Sequence, residues 1–254
     1  MSAGRRGGPG RRPPRGRPGA DEPSRDEVVY GRNPVRELLS SGRREVVSLH
    51  ATEQAGDEEW LAPHRPEEAT REELARIAGT GDHQGVVARV GPYPYADVRD
   101  LLAAPGPVIC LDGAHDPRNV GAIARVAEGA GAAGLVIPAR GGPGVTAVVS
   151  KASAGATEWL PVCRASSVVA LVHDARGTGR LAVGAHPDGA EDYRSIAWEE
   201  TCLVVMGAEG AGLRPRVRDA CDVLAAIPMH GRVASLNISV AAGLLLFEAI
   251  RNTG

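Results

Sequence analysis

The side chains best suited to chemistry lie in three separated stretches. Asp112-Gly-Ala-His-Asp-Pro-Arg-Asn-Val-Gly-Ala-Ile-Ala-Arg125 follows an apolar run and puts Asn119 and Arg125 near the start of a predicted helix. Six residues make about 1.7 helical turns, so the two side chains do not share a face at one level. Asn119 can point into the loop while Arg125 leans back towards the helix N-terminus. A guanidinium there suits a phosphate or carboxylate, and it also fits a plain surface position on an amphipathic helix. Gly207-Ala-Glu-Gly-Ala-Gly-Leu-Arg-Pro215 places the Glu209 carboxylate in a glycine-rich turn after the strand-like run Leu203-Val-Val-Met206. It lacks the Lys-Ser/Thr ending of a phosphate-binding P-loop. Its glycines either let the backbone close around a flat or bent ligand or simply make a βα turn. The third stretch runs from Val223 to Arg251. Pro228 stops a short strand, Gly231 permits a turn, and Ser235 or Asn237 can cap the long apolar helix that follows. A strand, a polar loop and an open helix N-terminus at the carboxyl edge of a parallel sheet make either a small-molecule site or an ordinary strand–loop–helix unit.

Other patterns are excluded by context. Gly129-Ala-Gly131-Ala-Ala-Gly134 spells a dinucleotide fingerprint, but a helix precedes it and a strand follows, the reverse of the required order. Its glycines therefore mark a helix end and a turn. The seven histidines show no zinc-binding spacing, so no metal is expected. Cys110, Cys163, Cys202 and Cys221 form no CxxC pair, and the first three sit in or beside strand-like runs, which suggests buried thiols in a reducing cytoplasm.

These groups need a scaffold, and the chain of 254 residues is long enough for a smaller and a larger domain. Residues 1–26 read as a disordered basic arm. The first twenty carry six arginines and no acid, +6 against a total of −2, so the remainder carries −8. The arm is either a non-specific phosphate contact or a low-complexity tail. It has no apolar core of a secretory signal, and Val240–Ile250 is too short to cross a membrane. Residues 27–95 read as a small α/β domain: a strand end, a helix from about Pro34, a strand over Glu45–Ala51, a helix capped by Thr70 and Glu73, and a strand near His83–Val90. Residues 96–106 form a connection. Over 107–254, strand-like runs at Val108–Leu111, Gly134–Ile137, Leu160–Cys163, Leu181–Ala185, Leu203–Met206 and Val223–Ile227 alternate with helical segments. That pattern predicts a mostly parallel sheet covered on both faces.

DPRNVGAIAR at 116–125, LVVMGAEGAGL at 203–213 and IPMHGRVASLNISVAAGLLLFEAIR at 227–251 together resemble the SpoU/TrmH family of the SPOUT superfamily. VYGRNPVREL at 29–38 and HQGVVARV at 83–90 are similar to the RlmB-like branch, which acts on a guanosine of 23S ribosomal RNA. The resemblance spans residues 27 to 251. It implies an L30e-like RNA-binding domain, then a SPOUT-type α/β domain with a C-terminal trefoil knot, an exception to the general absence of knots. It implies an S-adenosylmethionine-dependent RNA ribose 2′-O-methyltransferase that yields S-adenosylhomocysteine and forms a homodimer through the knotted domain. By the same resemblance, Gly207, Ile227, Met229 and Leu236 surround the cofactor's adenosine. Arg125 is catalytic with Asn119, and Glu209, Ser235 and Asn237 arrange substrate and loop. Arg232 with Val233-Ala234 departs from the Gly or Ser common in relatives and bears on substrate fit.

Guanidinium stays protonated at ordinary pH, so Arg125 is either a transiently neutral base or a phosphate anchor that stabilises the alkoxide. Arg32, Arg36, Arg43 and Arg44 are expected to touch RNA phosphates. With one Phe, three Trp and four Tyr, a broad base-stacking platform is not expected. A structured RNA loop, with the target nucleotide splayed out, is the expected substrate. Alternatives are a transfer RNA methyltransferase, an antibiotic-resistance relative, or a non-catalytic RNA-binding or assembly factor.

Overall fold

Half-polar strands early in the chain and unbroken apolar runs later produce two different sheets. A computed structural model describes residues 27–113, 115–188, 191–233 and 235–251; the basic arm expected over 1–26 lies outside them. The first unit contains β1 (Glu27–Tyr30), α1 (Arg32–Ser41), β2 (Val46–Ala51), α2 (Glu53–Gly56), β3 (Glu67–Glu68), α3 (Arg71–Ala78) and β4 (Val86–Val90). Its sheet order is β1-β4-β2-β3, with β4 antiparallel to both neighbours and β2 parallel to β3. Thr70 and Glu73 form the expected capping box. Helix α1 starts two residues before Pro34, which falls within its first turn.

The second unit contains α4 (Val98–Ala103), β5 (Val108–Asp112), α5 (Pro117–Gly129), β6 (Gly134–Pro138), α6 (Ala147–Ala152), β7 (Val162–Ala165), α7 (Val168–Gly177) and β8 (Leu181–Ala185). It continues with β9 (Glu191–Asp192), β10 (Cys202–Gly207), α8 (Pro215–Ala220), β11 (Val223–Ala226) and α9 (Ile238–Ile250). All pairings in the order β7-β6-β5-β10-β8-β11-β9 are parallel. One sheet face packs Ile109, Leu111 and Val204 against Ile123 of α5 and Leu245 and Leu246 of α9. The other packs Val108, Cys110 and Val205 against Leu171 of α7 and Val217 of α8. Burial on both faces is why these strands carry no polar alternation. The six expected strands are all present, but β9 has only Glu191 and Asp192 and carries no apolar signal. Gly129 ends α5 and Gly134 opens β6, so the apparent dinucleotide fingerprint is a helix end and a turn. Strand order reverses between β5 and β10, which puts the switch-point crevice at the ends carrying Asp112 and Gly207.

The connection between the sheets is packed, not loose. Leu101 and Leu102 of α4 join the second core. The buried guanidinium of Arg180 donates to the carbonyls of Leu102 at 2.9 Å, Gly106 at 2.8 Å and Leu101 at 3.2 Å, and also to Ala104. It closes the end of α4, whose last carbonyls have no helical partner. A second buried contact joins the units. Arg44 and Glu158 are each 1% exposed at the side chain and lie 3.5 Å apart, and Arg44 also pairs with Glu27 and donates to the Gly91 carbonyl at 2.8 Å. The Tyr93 hydroxyl donates to the Thr157 carbonyl at 2.7 Å. Arg44 is therefore a correction to the expected RNA contacts, because its charge is spent inside the protein.

Two outcomes test this junction. Arg180→Met leaves several buried carbonyls without a donor and is expected to lower unfolding free energy by about 3 kcal/mol or more, read by urea denaturation. Burial pushes the Glu158 carboxyl above its ordinary range, with Arg44 opposing. A raised folded-state value means Glu158 contributes most below its unfolded-state value, and the contribution is lost as pH rises through the folded one. Glu158→Gln should gain on the wild type as pH rises, read as the pH dependence of the difference in Tm.

Candidate active site

Three loops at the carboxyl edge of the large sheet meet through one side-chain amide. Asn119, in the first turn of α5, donates from Nδ2 to Glu209 Oε2 at 3.1 Å. Its Oδ1 accepts from Asn237 Nδ2 at 3.0 Å. Asn237 is the N-cap of α9, and its Oδ1 accepts from the Ser239 backbone N–H at 2.8 Å and the Ser239 hydroxyl at 2.6 Å. Of the two capping candidates, Asn237 performs the role. Ser235 lies two residues earlier and is exposed.

Local chemistry holds each loop. At Gly207 a Cβ would stand 2.1 Å from the Gly212 carbonyl carbon, so no other residue fits. Ala208 and Gly212 exchange two backbone hydrogen bonds, of 3.0 and 2.8 Å, which places Glu209 in the tight turn between them. Asp112, fully buried at the end of β5, accepts from the Arg214 backbone N–H at 2.9 Å and from its Nε at 2.7 Å. This pair fixes the far end of the Glu209 turn, and local sequence spacing does not reveal it. An acid ending an apolar strand run was the available signal. Beside the pair, a cavity of about 450 Å³ is bordered by Asp112, His115, Arg140, Ser166, Gly212 and Arg214.

The loop before α9 carries Ile227, half-buried against the core, with Met229 and Leu236 both more than one third exposed. Apolar side chains left partly open in a polar loop suit the flat face of a purine, whose edge backbone groups can read.

Arg125 is placed apart from these groups. It is exposed and lines a different cavity, also of about 450 Å³, with Asn33, Arg36, Glu37, Ser153 and Trp159. The six-residue offset along α5 turns it out of the Asn119 cluster. The other arginines divide by partner. Arg32 pairs with Glu58, Arg43 donates to the carbonyls of Glu158 and Trp159 at 3.2 and 3.4 Å, and Arg36 has no side-chain partner among the described residues.

Comparison with known proteins bears on this arrangement. Residues 106–247 match the family model of the SpoU rRNA methylase family, and residues 28–96 match that of RNA 2′-O ribose methyltransferase substrate binding. YacO of Bacillus subtilis, named for the TrmH family of tRNA/rRNA methyltransferases, is 36% identical over 248 residues, covering 89% of this chain and 95% of YacO. An AdoMet-bound rRNA methyltransferase from Sinorhizobium meliloti superposes with a TM-score of 0.76 at 27% identity, covering 90% of this chain and 88% of that one. The SpoU methyltransferase AviRb from Streptomyces viridochromogenes, in complex with AdoMet, gives 0.75 at 27% identity, covering 90% of each chain.

Gly207→Ala forces the Glu209 turn open. It is expected to cost about 1–3 kcal/mol in urea unfolding, because overpacking displaces backbone that cannot yield.

Proposed function

We propose that this chain, which belongs to the SpoU rRNA methylase family, methylates a ribose 2′-hydroxyl of structured RNA with S-adenosylmethionine as donor. The observation that carries the reading is the Glu209–Asn119–Asn237 hydrogen-bond chain, which draws three loops together at the sheet's switch-point edge. Ile227, Met229, Leu236 and the side-chain-free backbone at Gly207 would hold the adenosine. S-Adenosylmethionine supplies an electrophilic methyl group and leaves as S-adenosylhomocysteine. The protein's task is to hold the ribose oxygen in line with that methyl, and positioning of this kind contributes roughly 7–11 kcal/mol in favourable systems. Glu209, which accepts from the Asn119 amide, would take the hydroxyl proton, and Ser235 would contact the ribose. Of the two roles for Arg125, its position beside Arg36 favours binding phosphate over acting as base.

Within this reading, residues 27–95 bind RNA, 96–106 connect, and 107–254 form the catalytic domain with a knotted C-terminal segment. The substrate is a guanosine of 23S ribosomal RNA, and the protein works in the cytoplasm; no described helix is long and apolar enough to cross a membrane. Val240, Leu244 and Phe247 recur at helical spacing on α9 and are exposed, which supports a homodimer through that face.

Purified protein should transfer labelled methyl from S-adenosylmethionine to fractionated 23S ribosomal RNA, with the product mapped to one guanosine ribose. Label appearing only in transfer RNA would replace the substrate, and none in any RNA would remove the reading. Asn119→Ala should lower kcat by about 100-fold or more in single turnover, since it frees Glu209 and Asn237 together. Arg125→Lys should retain more activity than Arg125→Ala if the charge binds phosphate; equal wild-type rates in both would remove Arg125 from the mechanism. Phe247→Glu should shift the protein from dimer to monomer in sedimentation.

A further inference from the structure

The cavity between the two units carries, beside Arg125, two groups that the methyl-transfer step does not use, Arg36 and Trp159. Trp159 is 47% exposed, an unusual state for an indole in a chain this poor in aromatics. It is not loose. Its Nε1–H donates to Glu37 Oε2 at 2.8 Å, from α1 of the first unit, and its carbonyl accepts from Arg43 at 3.4 Å. A side chain held at its edge, with a face left open, binds a flat partner at little further entropic cost. Close approach secures the same wall. Gly155 has φ +91°, and a Cβ there would stand 2.6 Å from the Glu37 Cβ.

Arg36 and Arg125 line this cavity, and neither side chain has a hydrogen bond or ion pair among the described residues. Two free guanidiniums beside an anchored indole match one phosphate and one base. The acids present limit the site further. Glu37 is occupied by the indole, and Glu128 stands one helical turn from Arg125, where its charge opposes a second phosphate. Along α5, Asn119 and Arg125 are separated by six residues, about 9 Å of helix rise.

We propose that this cleft binds one unstacked nucleotide adjoining the methylated one, with its base on Trp159 and its phosphate between Arg36 and Arg125. The inference rests on the RNA-methylating reading and adds a register device to it. Holding a neighbouring nucleotide at a fixed distance from Asn119 decides which ribose reaches Glu209.

The test uses the full chain with a labelled single-stranded RNA octamer and the same octamer made abasic. Tryptophan emission should fall on adding the base-bearing octamer and not the abasic one. Trp159→Phe should abolish that change while keeping affinity within about threefold, which assigns the signal to Trp159 over Trp60 and Trp198. Trp159→Leu should weaken the base-bearing octamer about tenfold and leave the abasic one unaffected. Arg36→Ala should weaken both alike and reduce the salt slope by about one. An unchanged emission in the wild type, or equal affinities of wild type and Trp159→Leu for both octamers, overturns the proposal. If Trp159→Leu unfolds, the wild-type emission and the Phe variant still decide. The two readings fail separately: a wild type that transfers methyl but shows no base-dependent quenching loses only this inference. One that quenches but transfers no methyl from S-adenosylmethionine to any RNA loses the enzymatic reading.

Discussion

The Asn119 carboxamide is the constraint on which the rest of the site depends. It presents a donor and an acceptor at once, and the structure uses both, the amine towards Glu209 and the oxygen towards Asn237. An aspartate of the same size would set one carboxylate against another, and a leucine would satisfy neither neighbour. The three loops it joins leave the sheet at β5, β10 and β11, so a single side chain on α5 ties together, beyond the strand ends, segments that the ladder below holds only through the sheet. The Asp112–Arg214 pair and the side-chain-free Gly207 serve the same end, by fixing the Glu209 turn before the amide engages it.

Charge in this chain is used in two distinct ways. Arg44 and Arg180 are buried and spent on carboxylates and carbonyls, where they hold elements together. Arg36 and Arg125 are exposed and unpaired among the described residues, which leaves their full valence for a ligand. Counting arginines in a basic-looking segment therefore overstates the surface open to an anion. Arg43 and Arg44 are neighbours in sequence, yet one caps a loop from the exterior and the other is sealed beneath it.

The large sheet was legible because burial on both faces writes strands as plain apolar runs, and the end of the helix before Gly131 was marked by its glycines, while its start, capped by Asp116, was not. Strand β9 was not legible, since two acidic residues pairing with β11 leave no periodic trace. Asn119, Glu209 and Asn237 were named through a family resemblance; their mutual bonds span 90 and 118 residues, which no local pattern encodes. The orientation of Arg125 was missed for a related reason. Helical spacing showed that it could not sit level with Asn119, but which surface it met instead depended on where the first unit docks. Trp159 and Arg180 belong to the same class, because Glu37 lies 122 residues from the indole and the carbonyls around the end of α4 more than 70 from the guanidinium.

Arg180 has a consequence for how a bulky polymer is accommodated. A guanidinium that gathers the carbonyls of Leu101, Leu102, Ala104 and Gly106 ties the segment connecting the two units to the large sheet. An RNA lying across both units meets them in the arrangement that these bonds, with Arg44–Glu158 and Tyr93–Thr157, set. The work of adaptation then falls on the nucleic acid, and discrimination among RNAs becomes a matter of which ones deform cheaply.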